Sequence, residues 1–269
     1  MLAKDLLEER LPRGRLRTLL GRLGWGLLGG RDSTKLLRRS INGQSLRLEA
    51  RSLTYYCDYE IDLFRWIDPR LPADGLFLDI GAHHGMMSLP LLNKSPARKS
   101  IMVEASSATC QIIQHHLAAN HLEDRTILRH LAISDTDNRS ESFVLLGDGT
   151  GSSNHLGSLH DGLPEATRSE PVTTIRVDTL VESLGARPDV IKIDIEGWEV
   201  KAVRGMIHTL ETQRPHVVIG LHYVWIKEVG DDVSELFQIL RDFHYEIEHV
   251  RAPRQDPRLV EDIVCTPRR

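Results

Sequence analysis

Apolar residues fall along this chain in short unbroken runs separated by stretches of helical spacing, and that alternation predicts a mostly parallel sheet with helices on both faces. The runs are Leu76–Ile80, SIMVEA ending at Glu104, Thr126–Ile133, DVIKIDIEG and HVVIGLHY, each suited to a strand buried on both faces. Helical spacing covers Met86–Leu92, Ala108–Asn120, Leu180–Leu184, Trp198–Leu210 and Val233–Phe243. Pro90 falls in the first turns of its helix, where a missing N–H costs little. YEIEHV and LVEDIVCTP read as two closing strands joined by the Arg/Pro-rich loop Arg251–Arg258. Upstream, the alternating SLRLEARSLTYYCDYE predicts a strand or hairpin leading into a helix over Glu60–Asp68, closed by Pro69 and Pro72.

Two segments break the rhythm. From Met1 to about Gly30, leucines at Leu2, Leu6, Leu16, Leu19, Leu20, Leu23 and Leu27 keep near-helical spacing, and Pro12 with Gly14 divides them into two short helices. The other is the polar, glycine-rich stretch within 135–175, with FVLL (Phe143–Leu146) as a strand and GDGTGSSNHLGS as a loop. An insertion of this kind shapes a substrate pocket. Ser152 and Ser153 read first as loop residues and second as substrate contacts. The chain therefore divides into a basic helical appendage over 1–45 and an α/β domain over 46–269.

Composition sharpens this division. With 269 residues, 41% of them hydrophobic and 27% charged, the chain can bury one substantial core plus an appendage. Ten Lys/Arg against four Asp/Glu make residues 1–39 carry +6, and a net charge of −4 leaves −10 on the rest. An acidic α/β portion speaks against nucleic acid as a partner. The basic segment reads first as packing on the domain or on a second copy in a homodimer. Its second reading is peripheral contact with an anionic membrane surface or a carrier protein. Cys57, Cys110 and Cys265 lie far apart without metal-like spacing, no apolar run approaches a membrane span, and Met1–Gly30 lacks a signal-peptide core; a cytoplasmic setting is expected.

The chemistry is expected at the C-terminal ends of the strands, where open α/β sheets bind ligands. In LFLDIGAHHGMMS, Asp79 ends an apolar run and Gly81, Ala82 and Gly85 open the chain to close approach. His83 and Met86 stand where a dinucleotide fingerprint has its later glycines, which argues against NAD. Glu104, 25 residues after Asp79, is placed to accept hydrogen bonds from paired ribose hydroxyls. Asp194 and Glu196 are i and i+2 in KIDIEG, so an extended backbone points both at one site; Gly197 then leaves the strand, and His222 reaches the same edge from the next one. Structural roles compete: Glu196 as a helix cap or loop acceptor, and Trp198 as a core anchor. His83 and His84, as neighbours, should diverge and act as turn residues; His115, His116 and His121 read as surface groups.

These residues carry a family resemblance. LDIGAHHGMMS, VEA at 103–105, LAISD ending at Asp135, and IKIDIEGWEVKAVRGM with the preceding VDTL resemble the FkbM-type family of S-adenosylmethionine-dependent methyltransferases. The likeness runs from about Tyr59 to Val250, and KIDIEG followed by Glu199 and Gly205 is its most specific part. It implies a class I methyltransferase fold, Rossmann-like, with a seven-stranded sheet and a final antiparallel strand. The implied cofactor is S-adenosylmethionine, held by Asp79, Gly81, Ala82, His83, Gly85, Glu104, Ala105, Ala132 and Asp194. The implied reaction is O-methylation of a small-molecule or carbohydrate acceptor: a sugar, glycolipid or polyketide-like product. The chain departs from the family in His83, where Asn is common, and in Gly220, where glutamate is common.

An acceptor hydroxyl is a poor nucleophile near neutral pH and needs a base or a metal. The catalytic residues expected are His222 as base with Asp194 positioning the hydroxyl, and Glu196 as a further proton acceptor. Mg²⁺ on Asp194, Glu196 or both is the competing form; without an evident third protein ligand, no metal set is assigned. Two other classes share the architecture: an NAD-linked oxidoreductase, and a noncatalytic binding or scaffold protein. An RNA methyltransferase is a weaker third.

Overall fold

The computed structural model describes residues 33–54, 57–145, 154–156, 168–251 and 260–268. The leucine- and arginine-rich segment before residue 33, Ser152, Ser153 and most of the loop after Arg251 lie outside the described residues. Strands β1 (Leu36–Ile41) and β2 (Gln44–Glu49) form an antiparallel hairpin through Asn42 and Gly43, both at positive φ. Asn-Gly suits that turn, because the twist of a two-residue hairpin needs both central residues left-handed. Residues 36–45 are thus hairpin, not part of a helical appendage, and a boundary at residue 45 would cut it. The hairpin packs Ile41, Leu46 and Leu48 against Leu89, Met102 and Ile113 of the main domain.

The main domain alternates as its apolar pattern predicts. Its elements are α1 (Ile61–Ile67), β3 (Leu76–Ile80), α2 (Ser88–Lys94), β4 (Lys99–Glu104), α3 (Ser107–Asn120) and β5 (Thr126–His130). Next come β6 (Ala132–Ile133), β7 (Ser140–Leu145), β8 (His155–Leu156), β9 (Arg168–Ile175), α4 (Val177–Ser183) and β10 (Val190–Ile193). Then follow α5 (Glu199–Arg204), α6 (Ile207–Thr212), β11 (His216–His222), α7 (Tyr223–Glu228), α8 (Val233–Asp242), β12 (Tyr245–Arg251) and β13 (Val260–Pro267). The seven-stranded sheet has the order β12-β13-β11-β10-β3-β4-β5, in which β13 runs antiparallel to both neighbours. Strands β3, β4, β5, β10 and β11 pair in parallel, so their C-terminal ends share one rim.

Alternation along these strands separates two core faces. Leu78, Ile80, Ile191 and Ile193 point into the larger cluster. Phe77, Val190, Val218 and Val264 point to the other face, under Leu63, Phe64 and Ile67 of α1. Three sequence expectations change. The run Thr126–Ile133 is not one strand: β5 stays in the main sheet, whereas β6 joins a smaller sheet of order β6-β9-β7-β8. Trp198–Leu210 is two helices broken at Gly205, which presses so closely on the Ser134 carbonyl that a Cβ would lie 2.3 Å from it. His116 is fully buried rather than on the surface: its Nε2 accepts from Glu49 N at 3.0 Å, its Nδ1 donates to His84 O, and burial holds its pKa down to about 4. Among the described residues no helix is long and apolar enough to cross a membrane.

At the opposite end of the sheet from the rim, the buried Arg98 guanidinium ties three elements together. It donates to Asp68 Oδ1 and to the carbonyls of Asp68, Leu71, Pro72 and Leu91. Removing it orphans buried carbonyls and leaves Asp68 without its closest buried partner. Arg98→Met is expected to lower unfolding stability by about 3 kcal/mol in urea titration, while ligand affinity at the distant rim stays unchanged at low temperature. A loss under about 1 kcal/mol would show that the clamp carries little of the fold.

Candidate active site

The rim begins where β3 ends. Gly81, at φ 76°, packs against the Asp194 carbonyl, and a Cβ would sit 2.0 Å from that oxygen, so any side chain there would push β3 and β10 apart. Gly81 N and Ala82 N donate to Val103 O at 2.9 and 3.1 Å, locking the loop onto β4. His83 is left-handed at φ 49°, and this breaks the expected divergence: its ring stacks on His84 with centroids 4.3 Å apart. The left-handed turn also aims His83 N at Glu104 Oε2, 2.8 Å away, while Ser106 N donates to Glu104 Oε1 at 2.8 Å. Glu104 is nearly buried, and burial pushes its pKa up to about 7 against the pull of these N–H groups.

A second group lies between β3 and β10. Asp79 and Lys192 are partners in the parallel register, and both side chains are buried. Asp79 Oδ2 accepts from Ser88 Oγ at 2.5 Å, whereas Oδ1 accepts no hydrogen bond among the described residues; burial raises the Asp79 pKa. Lys192 Nζ lies 2.8 Å from Asp194 Oδ2 and 4.0 Å from Glu60 Oε2. Burial disfavours the lysine charge, but Asp194, Glu60 and Asp79 outweigh it and raise its pKa. Burial likewise pushes Asp194 up, and Lys192 followed by His222 more than reverses it, holding the carboxyl below the usual range. Glu60, just ahead of α1, is pushed up to about 7 by burial despite Lys192.

The third group closes the rim. Glu196, left-handed at φ 54°, brings Oε2 to 3.2 Å from His222 Nε2, and Asp194 Oδ1 lies 3.8 Å from the same nitrogen. His222 Nδ1 faces Glu199 Oε1 at 2.9 Å, and Glu199, fully buried, also accepts from Gly197 N at 3.1 Å. The imidazole stacks on Trp225 with centroids 5.2 Å apart and planes 6° from parallel. Burial would lower the His222 pKa, but Glu196 and Glu199, with Asp194, push it up to about 10.

Asp79, Gly81, Ala82, His83, Glu104, Ala105, Ala132, Asp194 and Glu196 line one crevice. Gly85 does not line it and packs beneath it on Leu89. His222 also stands behind the lining, reaching it through Asp194 and Glu196. Phe143, Asn154 and Leu156 of the inserted segment form part of the wall. Sequence reasoning missed Lys192, Glu60 and the support that Glu199 lends to His222. A lysine inside the apolar run VIKI was the available signal, since a buried strand admits such a charge only beside opposite ones. Glu60 carried no comparable mark, because its approach to Lys192 depends on how α1 crosses the sheet.

The chain is similar in structure to the methyltransferase FkbM of Methylobacillus flagellatus KT, with a TM-score of 0.50 and 17% identity over 98% of this chain and 58% of that one. It thus spans less than two thirds of that protein's length. It is also similar to a precorrin-6y C5,15-methyltransferase from Geobacter metallireducens GS-15, with a TM-score of 0.46 and 13% identity over 77% of this chain and 86% of that one. No curated protein sequence matches. At such identities structural likeness speaks for the fold, and the fold is that of the class I methyltransferases. The sequence profile of the methyltransferase FkbM domain matches residues 79–247, a span that includes Asp79, Glu104, Asp194, Glu196 and His222. The chain therefore belongs to the FkbM methyltransferase family.

Proposed function

We propose that the chain binds S-adenosylmethionine in this crevice and methylates a hydroxyl of a sugar, glycolipid or polyketide-like acceptor. The observation that carries the reading is a single crevice with Glu104, oriented by two loop N–H groups, and the pair Asp194 and Glu196 both in its lining. The residues suit the cofactor. Glu104 retains lone pairs for ribose hydroxyls, and the buried Asp79 Oδ1, lacking a donor, suits a cationic ligand group. S-adenosylmethionine supplies an activated methyl on a sulfonium centre.

The chain supplies alignment, a dry wall and a place for a proton. Phe143, Leu156 and Ile195 exclude water along the lining. Asp194, fixed through Oδ2 by Lys192, holds the acceptor hydroxyl. Glu196 takes its proton, because it faces the crevice while His222 sits behind it. In this reading Glu196, which lines the crevice, rather than His222 serves as the base. In the balanced step the carbon–sulfur bond breaks with its electron pair left on sulfur, the oxygen–carbon bond forms, and the hydroxyl proton passes to the carboxylate.

Incubation with S-adenosylmethionine and hydroxyl acceptors is expected to release S-adenosylhomocysteine and give an O-methylated product by mass spectrometry. Methyl found on nitrogen or carbon would overturn the reading, and so would an absence of heat on titration with S-adenosylmethionine, the behaviour of a scaffold. Glu196→Gln should lower kcat about 10²-fold or more with cofactor affinity retained; wild-type turnover in that variant would remove the assigned role. Only ionised Glu104 accepts both ribose hydroxyls, and its pKa stands at about 7. Cofactor affinity should therefore fall about tenfold from pH 8 to pH 6 by linkage, and Glu104→Gln should bind more weakly with that step abolished. An unchanged pH profile in the variant would place the ribose elsewhere.

A further inference from the structure

We propose that Asp194 Oδ1, Glu196 Oε2 and His222 Nε2 form a binding site for one divalent transition-metal cation of the Mn²⁺ type, which orients the acceptor hydroxyl. The proposal rests on the methyltransferase reading for its purpose, though not for its geometry. These three atoms come from two adjacent strand ends and all lie within 4.8 Å of one another. Two of the separations, 3.2 Å and 3.8 Å, approach the roughly 3 Å between neighbouring donors around an octahedral ion with bonds near 2.1 Å.

Three further features point the same way. Glu199 is fully buried and engages His222 Nδ1 at 2.9 Å, so a carboxylate that can only accept keeps a hydrogen on Nδ1 and directs Nε2, whose proton a bound cation would displace, toward the two acids. A carboxylate behind a histidine is the outer-shell arrangement that orients metal-binding imidazoles. Asp194 divides its two oxygens: Oδ2 is held by Lys192 at 2.8 Å, and Oδ1 is the one turned to His222. Gly220, on β11 beside this group, has no side chain to crowd it, and a Cβ there would approach Asp194 Oδ1 to 3.2 Å.

The donor set also selects the ion. Mg²⁺ and Ca²⁺ take oxygen ligands almost exclusively, whereas an imidazole beside two carboxylates suits Mn²⁺ or its transition-metal neighbours. Three protein ligands leave open positions, and because Asp194 and Glu196 line the crevice those positions face it. An acceptor with two adjacent oxygens, such as a vicinal diol, can fill them, and coordination lowers the pKa of the bound hydroxyl. The second oxygen of Glu196 then remains for the departing proton.

The test uses the full chain, stripped with chelator and titrated with Mn²⁺ alone, read by electron paramagnetic resonance and calorimetry without cofactor or acceptor. One saturable Mn²⁺ per chain is expected, with Mg²⁺ at least tenfold weaker and with Glu196→Gln and His222→Gln each weakening Mn²⁺ at least tenfold. Should His222→Gln fail to fold, Glu196→Gln and Asp194→Asn carry the comparison. No saturable binding, or binding unchanged in these variants, would overturn the site and leave the three groups as an ion-paired cluster. S-adenosylmethionine titration of the same samples separates the outcomes. Cofactor binding without Mn²⁺ binding defeats only the metal, and Mn²⁺ binding without cofactor binding defeats only the methyltransferase reading.

Discussion

A buried lysine holds this rim together. Asp79, Asp194 and Glu60 converge within the space between α1, β3 and β10, and three carboxylates so placed would repel one another and resist ionisation. Lys192, only 4% exposed, stands among them with its ammonium on Asp194 and close to Glu60. Taking the lysine away would leave several buried acids uncompensated. The lysine thus makes an acidic rim compatible with a stable sheet. It also leaves the crevice rich in negative charge, an environment favourable to a cationic ligand.

Backbone strain does comparable work in the loops. His83 and Glu196 are both left-handed without being glycine, a conformation that costs energy and persists only where surrounding contacts impose it. The two turns flank the same crevice: one aims the His83 N–H at Glu104, the other turns the Glu196 carboxylate back toward His222. Gly81 lets the strand ends meet, with its Cα against the Asp194 carbonyl. Close contact between β3 and β10 is therefore what brings the loop that carries His83 and the loop that carries Glu196 to opposite sides of one crevice.

The same economy extends to the inserted segment and the hairpin. Phe143, Asn154 and Leu156 wall the crevice from a separate small sheet, so the shape presented to an acceptor can vary without touching the main sheet. The hairpin β1–β2 covers the outer side of α2 and α3, where Ser52 and Glu49 meet His84 and His116. His84 thus belongs to the fold while its stacked neighbour His83 lines the crevice.

By itself the sequence determined the order of strands and helices, the rim at the strand ends, and Asp79, Glu104, Asp194 and Glu196 upon it, because apolar runs that end in acids and glycines leave few other arrangements. The Asn42-Gly43 turn that joins β1 to β2 was missed, because the leucines and arginines before it mimic a helical appendage. Tertiary structure alone decided which groups touch. Whether Lys192 meets Glu60, whether His116 is buried, and that Glu199 stands behind His222 all depend on how helices cross the sheet and on left-handed loop residues. Periodicity records which face a side chain takes along its own element; the distance between elements is set by packing, and there the chemistry of this rim was made.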